Sequence, residues 1–296
     1  MDRNESADDF ADCVVRRTEF DTVMKPGLVV ATMVVPALIA LVMVTVIMDA
    51  NVGTVFTQDG VRAGIVTALV TECCVIGFML YILSGRTASH QRRDDIWTRS
   101  LIGYARSKGA DTGELERLAD RMHAKGRSPL RILSLVLWGF SLILLLAMAF
   151  YFGLLTGEID RRIYILAGAA YVLLILEFLL STGATYGFPH SHEKAQIEFT
   201  EELSSVLDGK GIRVEPMRSL VGRPHWVVAI LLFIVTLGLF TAVLFLFACR
   251  NMNLHIRNQH EYEDDLLNAI IEAEGGNGVR PAERIGRAAG FLRSLF

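Results

Sequence analysis

WVVAILLFIVTLGLFTAVLFLFA, residues 226–248, contains 23 residues and not one charge. A helix crossing a hydrocarbon core of ~30 Å needs ~20 apolar residues, so this block is long enough to span a bilayer. Four windows of similar length precede it, at 27–48, 63–84, 132–155 and 163–182. Hydrophobic residues make up 52% of the 296, above the range of soluble domains, and the excess sits in these blocks. The reading is an all-α, polytopic helical membrane protein. It has about five transmembrane helices and cytoplasmic amphipathic helices, with the lipid bilayer as its first partner and no nucleic acid.

The polar stretches divide the chain into seven parts. An acidic N-terminal leader (1–26) precedes a first transmembrane hairpin (27–84) and a connection (85–131). A second hairpin (132–182), a second connection (183–225), a fifth helix (226–249) and an amphipathic tail (250–296) follow. The leader carries seven acidic against four basic residues. The first block is also longer than a signal-peptide core of ~7–15 residues, so it is expected to be a retained span. Lys and Arg number 4 in the leader, 11 in 85–131 and 5 in 183–225, against 1 in 49–62 and 2 in 156–162. Cytoplasmic loops hold the Lys/Arg excess. The leader and both long connections are therefore expected in the cytoplasm, with the protein in the cell membrane. Five crossings put the tail on the opposite side, although it carries six arginines.

Within the connections the hydrophobic period becomes that of a one-sided helix. The stripe is Trp97, Leu101, Tyr104 and Ala105 in the first and Phe199, Leu203, Val206 and Leu207 in the second. In the tail it is Leu266, Leu267, Ile270 and Ile271. Each segment opens near a histidine (His90, His192, His260) and closes on a glycine (Gly109, Gly211, Gly278). Glycine takes the left-handed conformation that ends a helix. The histidines are expected at helix starts, where Asp94–Asp95 and Asp264–Asp265 complement the dipole. The pattern reads as one unit used three times, with His255 an alternative to His260 as the third leader. Asp111 or Thr112 is expected to cap a second helix in 85–131. Trp97, Leu101, Phe199 and Leu203 are the candidate partner-binding residues.

The stretch VTLGLFTAVLFLFACRNMNLHIRNQHEYEDDLL, residues 235–267, resembles small uncharacterised prokaryotic membrane-protein domains. Their membrane helix carries T-L-G-[I/L]-[Y/F] and is followed by a His-rich acidic segment. The resemblance implies an integral membrane protein of a prokaryote and carries no activity with it.

Two groups of residues have the chemistry for a site. His190, His192, His255 and His260, near acids at the membrane boundary, are candidate metal ligands. Glu72 and Glu177 lie inside apolar blocks, where acids commonly mark an ion or proton path. Cys13, Cys73, Cys74 and Cys249 form no C-x-x-C pair, so neither a disulfide framework nor a zinc–thiolate site is expected. There is no H-E-x-x-H, phosphate-binding loop or nucleophile elbow, which argues against an enzyme, and no cofactor is expected. The favoured function is a membrane-anchored scaffold or assembly protein acting through its amphipathic helices, on other membrane proteins or in a homo-oligomer. The alternative is a small-ion or solute carrier using Glu72 and Glu177.

Overall fold

The computed structural model describes residues 3–32, 58–126, 130–154, 185–236 and 240–275, with short pieces between 169 and 180. The described residues form α1 (Arg3–Val15), α2 (Arg17–Phe20), α3 (Gln58–Ser107), α4 (Gly113–Gly126) and α5 (Leu130–Leu154). These are followed by α6 (Phe188–Asp208), α7 (Trp226–Val235) and α8 (Phe240–Ala273), with no strand among the described residues. The fold is all-α. Among the described residues no helix is long and apolar enough to cross a membrane. Most of blocks 27–48 and 163–182 lies outside them.

Helix α3 has 50 residues, roughly 75 Å at 1.5 Å per residue. It runs from the second apolar block through the whole first stripe. Helix α8 likewise runs from the fifth block into the tail. Neither α8 nor α3 contains a proline, and α8 has no glycine, so nothing stops the helix where hydropathy changes. His90, Asp94 and Asp95 are therefore interior residues of α3, as are His260, Asp264 and Asp265 of α8. The expected dipole role fails for both. Only α6 starts close to its histidines, with Pro189 in its first turn.

The fifth block is not one straight helix. Helix α7 ends at Val235 and α8 begins at Phe240. The Thr236 hydroxyl donates to the Leu232 carbonyl (2.7 Å) and accepts the Phe240 amide N–H (3.0 Å). Ala229, Phe233 and Leu244 pack in one buried cluster. Phe233 and Leu244 would be ~16 Å apart along a straight helix, so α7 turns back on α8.

The three stripes meet in a single core. Trp97, Leu101, Phe199 and Leu203 are each 0% exposed, packed with Leu266, Leu267 and Ile270 of α8, Leu115 of α4 and Phe10 and Val14 of α1. Trp97 lies 5.6 Å from Phe199 and 6.3 Å from Tyr262 between ring centroids. Burying each large side chain contributes ~1.5–3 kcal/mol. These residues are the core between α1, α3, α4, α6 and α8, here called the head, which corrects their reading as a partner surface. Helix α1 of the acidic leader is part of that core.

Two helix ends form as the glycines predict. Gly109 (φ 71°) and Gly211 (φ 82°) are left-handed. Each is followed by the paired bonds of a Schellman cap, Ala110 N–H to Ala105 O and Ile212 N–H to Leu207 O. In the tail the left-handed residue is Gly275, φ 72°, while Gly278 lies outside the described residues. Asp111 accepts the Gly113 amide N–H at the start of α4 (3.0 Å). Lower down, α3 and α5 cross at Gly77, where a Cβ would come 1.9 Å from Trp138 Cε2.

Candidate metal centre

Helices α3, α6 and α8 carry the same sequence pattern in the same order. His90, Asp94, Trp97 and Leu101 correspond to His192, Gln196, Phe199 and Leu203, and to His255, Gln259, Tyr262 and Leu266. Offsets of four, seven and eleven are those of a heptad seam, in which alternate steps of three and four keep one face towards the partner helices. Above the seam's entry come an aromatic layer and a leucine layer. At the entry itself come a layer of Asp and two Gln and, beneath it, a layer of three histidines.

The histidines form a near-equilateral triangle. Ring centroids are 5.4 Å apart for His90–His192, 5.0 Å for His90–His255 and 5.2 Å for His192–His255. The planes cross at 78°, 81° and 74°, so the rings stand like propeller blades. One ligand nitrogen from each lies within 4.8 Å of the others, and all three residues are buried. His90 Nε2 and His255 Nε2 are 3.0 Å apart. Phe188 stacks on His192 at 4.8 Å.

Carboxylates surround the triangle. Asp94, one turn above His90 on the same face, sets Oδ2 at 2.5 Å from His192 Nε2 and 3.4 Å from His90 Nε2. Its Oδ1 accepts Gln259 Nε2–H (2.8 Å) and Gln196 Nε2–H (3.2 Å). Asp21, from the extended stretch after α2, accepts His90 Nδ1–H at 2.7 Å. That bond fixes the ring and turns Nε2 into the cluster, as carboxylates behind ligating histidines do in metal sites. Glu193 Oε1 lies 4.0 Å from His255 Nδ1, too far for a hydrogen bond. Glu193 is held by Asn258 and by the Leu220 and Val221 amides. Arg93 donates to both Asp21 and Glu263.

Burial and charge oppose each other here. Burial would raise the Asp94 carboxyl, but His90 and His192 hold it well below the usual range. Asp21 is likewise held low against its burial, by His90, His260 and Arg93. Burial would lower His90, and Asp94 and Asp21 outweigh it, so its net direction is up. Burial pushes His255 down to about 4, leaving that ring neutral, with its Nε2 3.0 Å from His90 Nε2. Glu263 goes the other way, raised to about 7 chiefly by burial.

Of the expected ligands, His192 and His255 come together and His190 and His260 do not. His190 Nδ1 faces the Val221 carbonyl at 3.1 Å, since residues two apart cannot share a helix face. His260 Nε2 meets Asp21 Oδ2 at 3.0 Å. Sequence reading missed His90 as a ligand, gave Asp94 only a helix-dipole role, and missed Asp21. The signal for His90 was the H-x₃-[D/Q]-x₂-aromatic-x₃-L spacing, which holds only when His255 leads the third copy. Glu177 is buried outside this cluster. Glu72 lies on α3, its side chain outside the described residues.

Comparison with known proteins returns no matching family, no matching curated protein and no matching solved structure.

Proposed function

We propose that the chain holds a divalent transition-metal ion, zinc fitting best, between His90, His192 and His255, and that this ion staples a helical head to a membrane anchor. The triangle of buried imidazoles carries the reading. With Arg93 balancing Asp21, the buried Asp94 carboxylate faces the three imidazoles, and its charge is balanced by a proton on the histidines or by a bound cation. Zinc bound tetrahedrally at ~2.0–2.2 Å spaces its donors ~3.3 Å apart. The 3.0 Å between His90 and His255 and the 3.4 Å between His90 and Asp94 lie near that spacing, whereas His192 and Asp94, now hydrogen-bonded at 2.5 Å, would have to part to admit the ion. Asp94 is the natural fourth ligand. A site closed by four protein ligands has the character of a structural centre, whereas catalytic zinc keeps a position open. The favoured class is thus a membrane-anchored scaffold whose assembly partners meet the head's outer surface.

Membrane anchoring is supported by the apolar side chains that α3, α5 and α7 leave uncovered, among them Phe78, Tyr81, Phe140, Ile143, Val227 and Val235. A surface of this kind is unusual in water. The described part of the tail shares one core with both long connections, which supports placing all three on one side of the bilayer. The block 226–248 would then re-enter, leaving four crossings. Lys and Arg divide 26 to 3 in favour of the head side, a sharper bias than five crossings give.

The test is metal content. Protein purified without chelators from zinc-supplemented cells should carry one ion per chain, and His192→Ala and His255→Ala should lose it while remaining helical. Folded wild-type protein with no tightly bound metal would sink the reading. The interrupted block 226–248 favours one second reading, a carrier using Glu72 and Glu177, since carriers commonly contain discontinuous helices. Ion flux in reconstituted vesicles that Glu72→Gln abolishes would select it.

A further inference from the structure

Arginines buried in this head hold carboxylates. Arg17 donates to Asp264 (2.7 Å) and Arg93 to Asp21 and Glu263. Arg86 is the exception among them. It is 7% exposed, and its NH2 donates to the neutral Asn253 Oδ1 at 2.5 Å, with the weakly accepting Cys249 sulfur as its other neighbour. Among the described residues its Nε and NH1 have no oxygen or nitrogen acceptor, and no acid forms an ion pair with it. Asn253 cannot give more, since Oδ1 also accepts the Met24 amide N–H (3.1 Å) and Nδ2 donates to the Met24 carbonyl (2.7 Å). Cys249 lies beside Arg86, but its thiol points at the same carbonyl (3.6 Å). Burial pulls the Arg86 pKa down, with Cys249 and the more distant Asp21 offsetting it only in part.

A buried guanidinium with open donors is costly unless an anion completes it. Arg86 precedes His90 by four residues on α3, so it sits one turn from the histidine triangle, on the side away from the head core. It also lies two residues past the apolar block 63–84, at the level of lipid head-groups in the membrane reading. Its fork of donors matches a phosphate oxyanion.

We infer that Arg86, braced by Asn253, is a binding position for a phosphate group on the side of the histidine triangle away from the aromatic core. The group is carried either by an anionic lipid head-group or by free phosphate, and the site does not depend on the metal. The experiment measures thermal stabilisation and native mass spectra of the full chain in detergent. The probes are inorganic phosphate, short-chain phosphatidic acid and phosphatidylcholine. Wild-type protein should bind phosphatidic acid, phosphate or both, but not phosphatidylcholine, which separates the two sources. Arg86→Gln should weaken that binding about 10- to 100-fold, and Arg86→Lys should weaken it less. The exposed Arg99→Gln should leave it unchanged, and His192→Ala should abolish zinc binding but spare phosphate binding. Wild-type protein that responds to neither phosphate nor phosphatidic acid would overturn the inference whatever the variants do. So would Arg86→Gln protein that binds as tightly as wild type.

Discussion

Replacing Asp21 by asparagine changes one charge and almost no shape, and it strikes both the triangle and the ion pairs around it. Asp21 Oδ1 accepts His90 Nδ1–H at 2.7 Å, and Oδ2 meets Arg93 and His260. The asparagine oxygen can still accept from His90, but without the charge that raises the basicity of Nε2. Losing a carboxylate behind a ligating histidine typically weakens metal binding 10- to 100-fold, or ~1.4–2.8 kcal/mol. The new amide N–H₂ would also face the Arg93 donors. Breaking a buried pair from one side costs ~3–5 kcal/mol. Glu263 still holds the other arm of Arg93, so the low end, ~3 kcal/mol, is expected in metal-free protein. Zinc affinity by chelator competition and denaturant unfolding of the apo form read the two effects separately. Glu215→Gln is the control, because that side chain is 81% exposed and its pair with Arg218 is worth less than ~1 kcal/mol. Wild-type zinc affinity in a folded Asp21→Asn protein would refute the orienting role of Asp21.

Trp97→Ala should destabilise the head by ~3–5 kcal/mol and weaken zinc binding only through loss of fold. A fully stable variant would mean that the aromatic layer is not core. Glu263→Gln gives a pH signature. A carboxyl raised from 4.5 to about 7 binds its proton more tightly when folded, so its contribution to stability is present below pH 4.5 and lost as pH rises to about 7. The stability of Glu263→Gln relative to wild type should therefore rise between pH 5 and pH 8 by on the order of 3 kcal/mol, and a difference independent of pH would contradict the shift. In a cysteine-free background, single cysteines at Lys210 and Asn277 should give the same answer with an impermeant thiol reagent in intact cells. Labelling at one position and protection at the other would restore a bilayer between tail and head.

The stripes of Trp97, Phe199 and Leu266 were legible because helical periodicity is a local property. So were the caps at Gly109 and Gly211, where a left-handed residue leaves a chemical mark. The cluster was only half legible. His260, with Asp264–Asp265 at the offset of Asp94–Asp95, imitates the opening of the first segment as well as His255 does with Arg257 at the offset of Arg92. Only the partners across the seam decide between them. Asp21 was invisible as a site residue because its contact with His90 spans 69 positions, which no window contains. The turn inside 226–248 hid for a different reason. Thr236 and Gly238 are ordinary in a membrane helix, and the Thr236 hydroxyl caps the next helix only after the chain has bent.

The leader stretch from Arg17 to Met24 is clasped by the other end of the chain. Met24 is held on both its amide and its carbonyl by Asn253, 229 residues later, and Arg17 by Asp264, 247 residues later. During synthesis at ~5–20 residues per second, the leader would wait roughly 10–45 s for the helix that receives it. For that interval Phe10, Val14, Trp97 and Phe199 face an incomplete core and the histidine triangle lacks its third corner. A ribosome-bound chain ending before residue 253 should therefore be open to proteases at the leader and unable to retain metal. Release of α8 closes both at once.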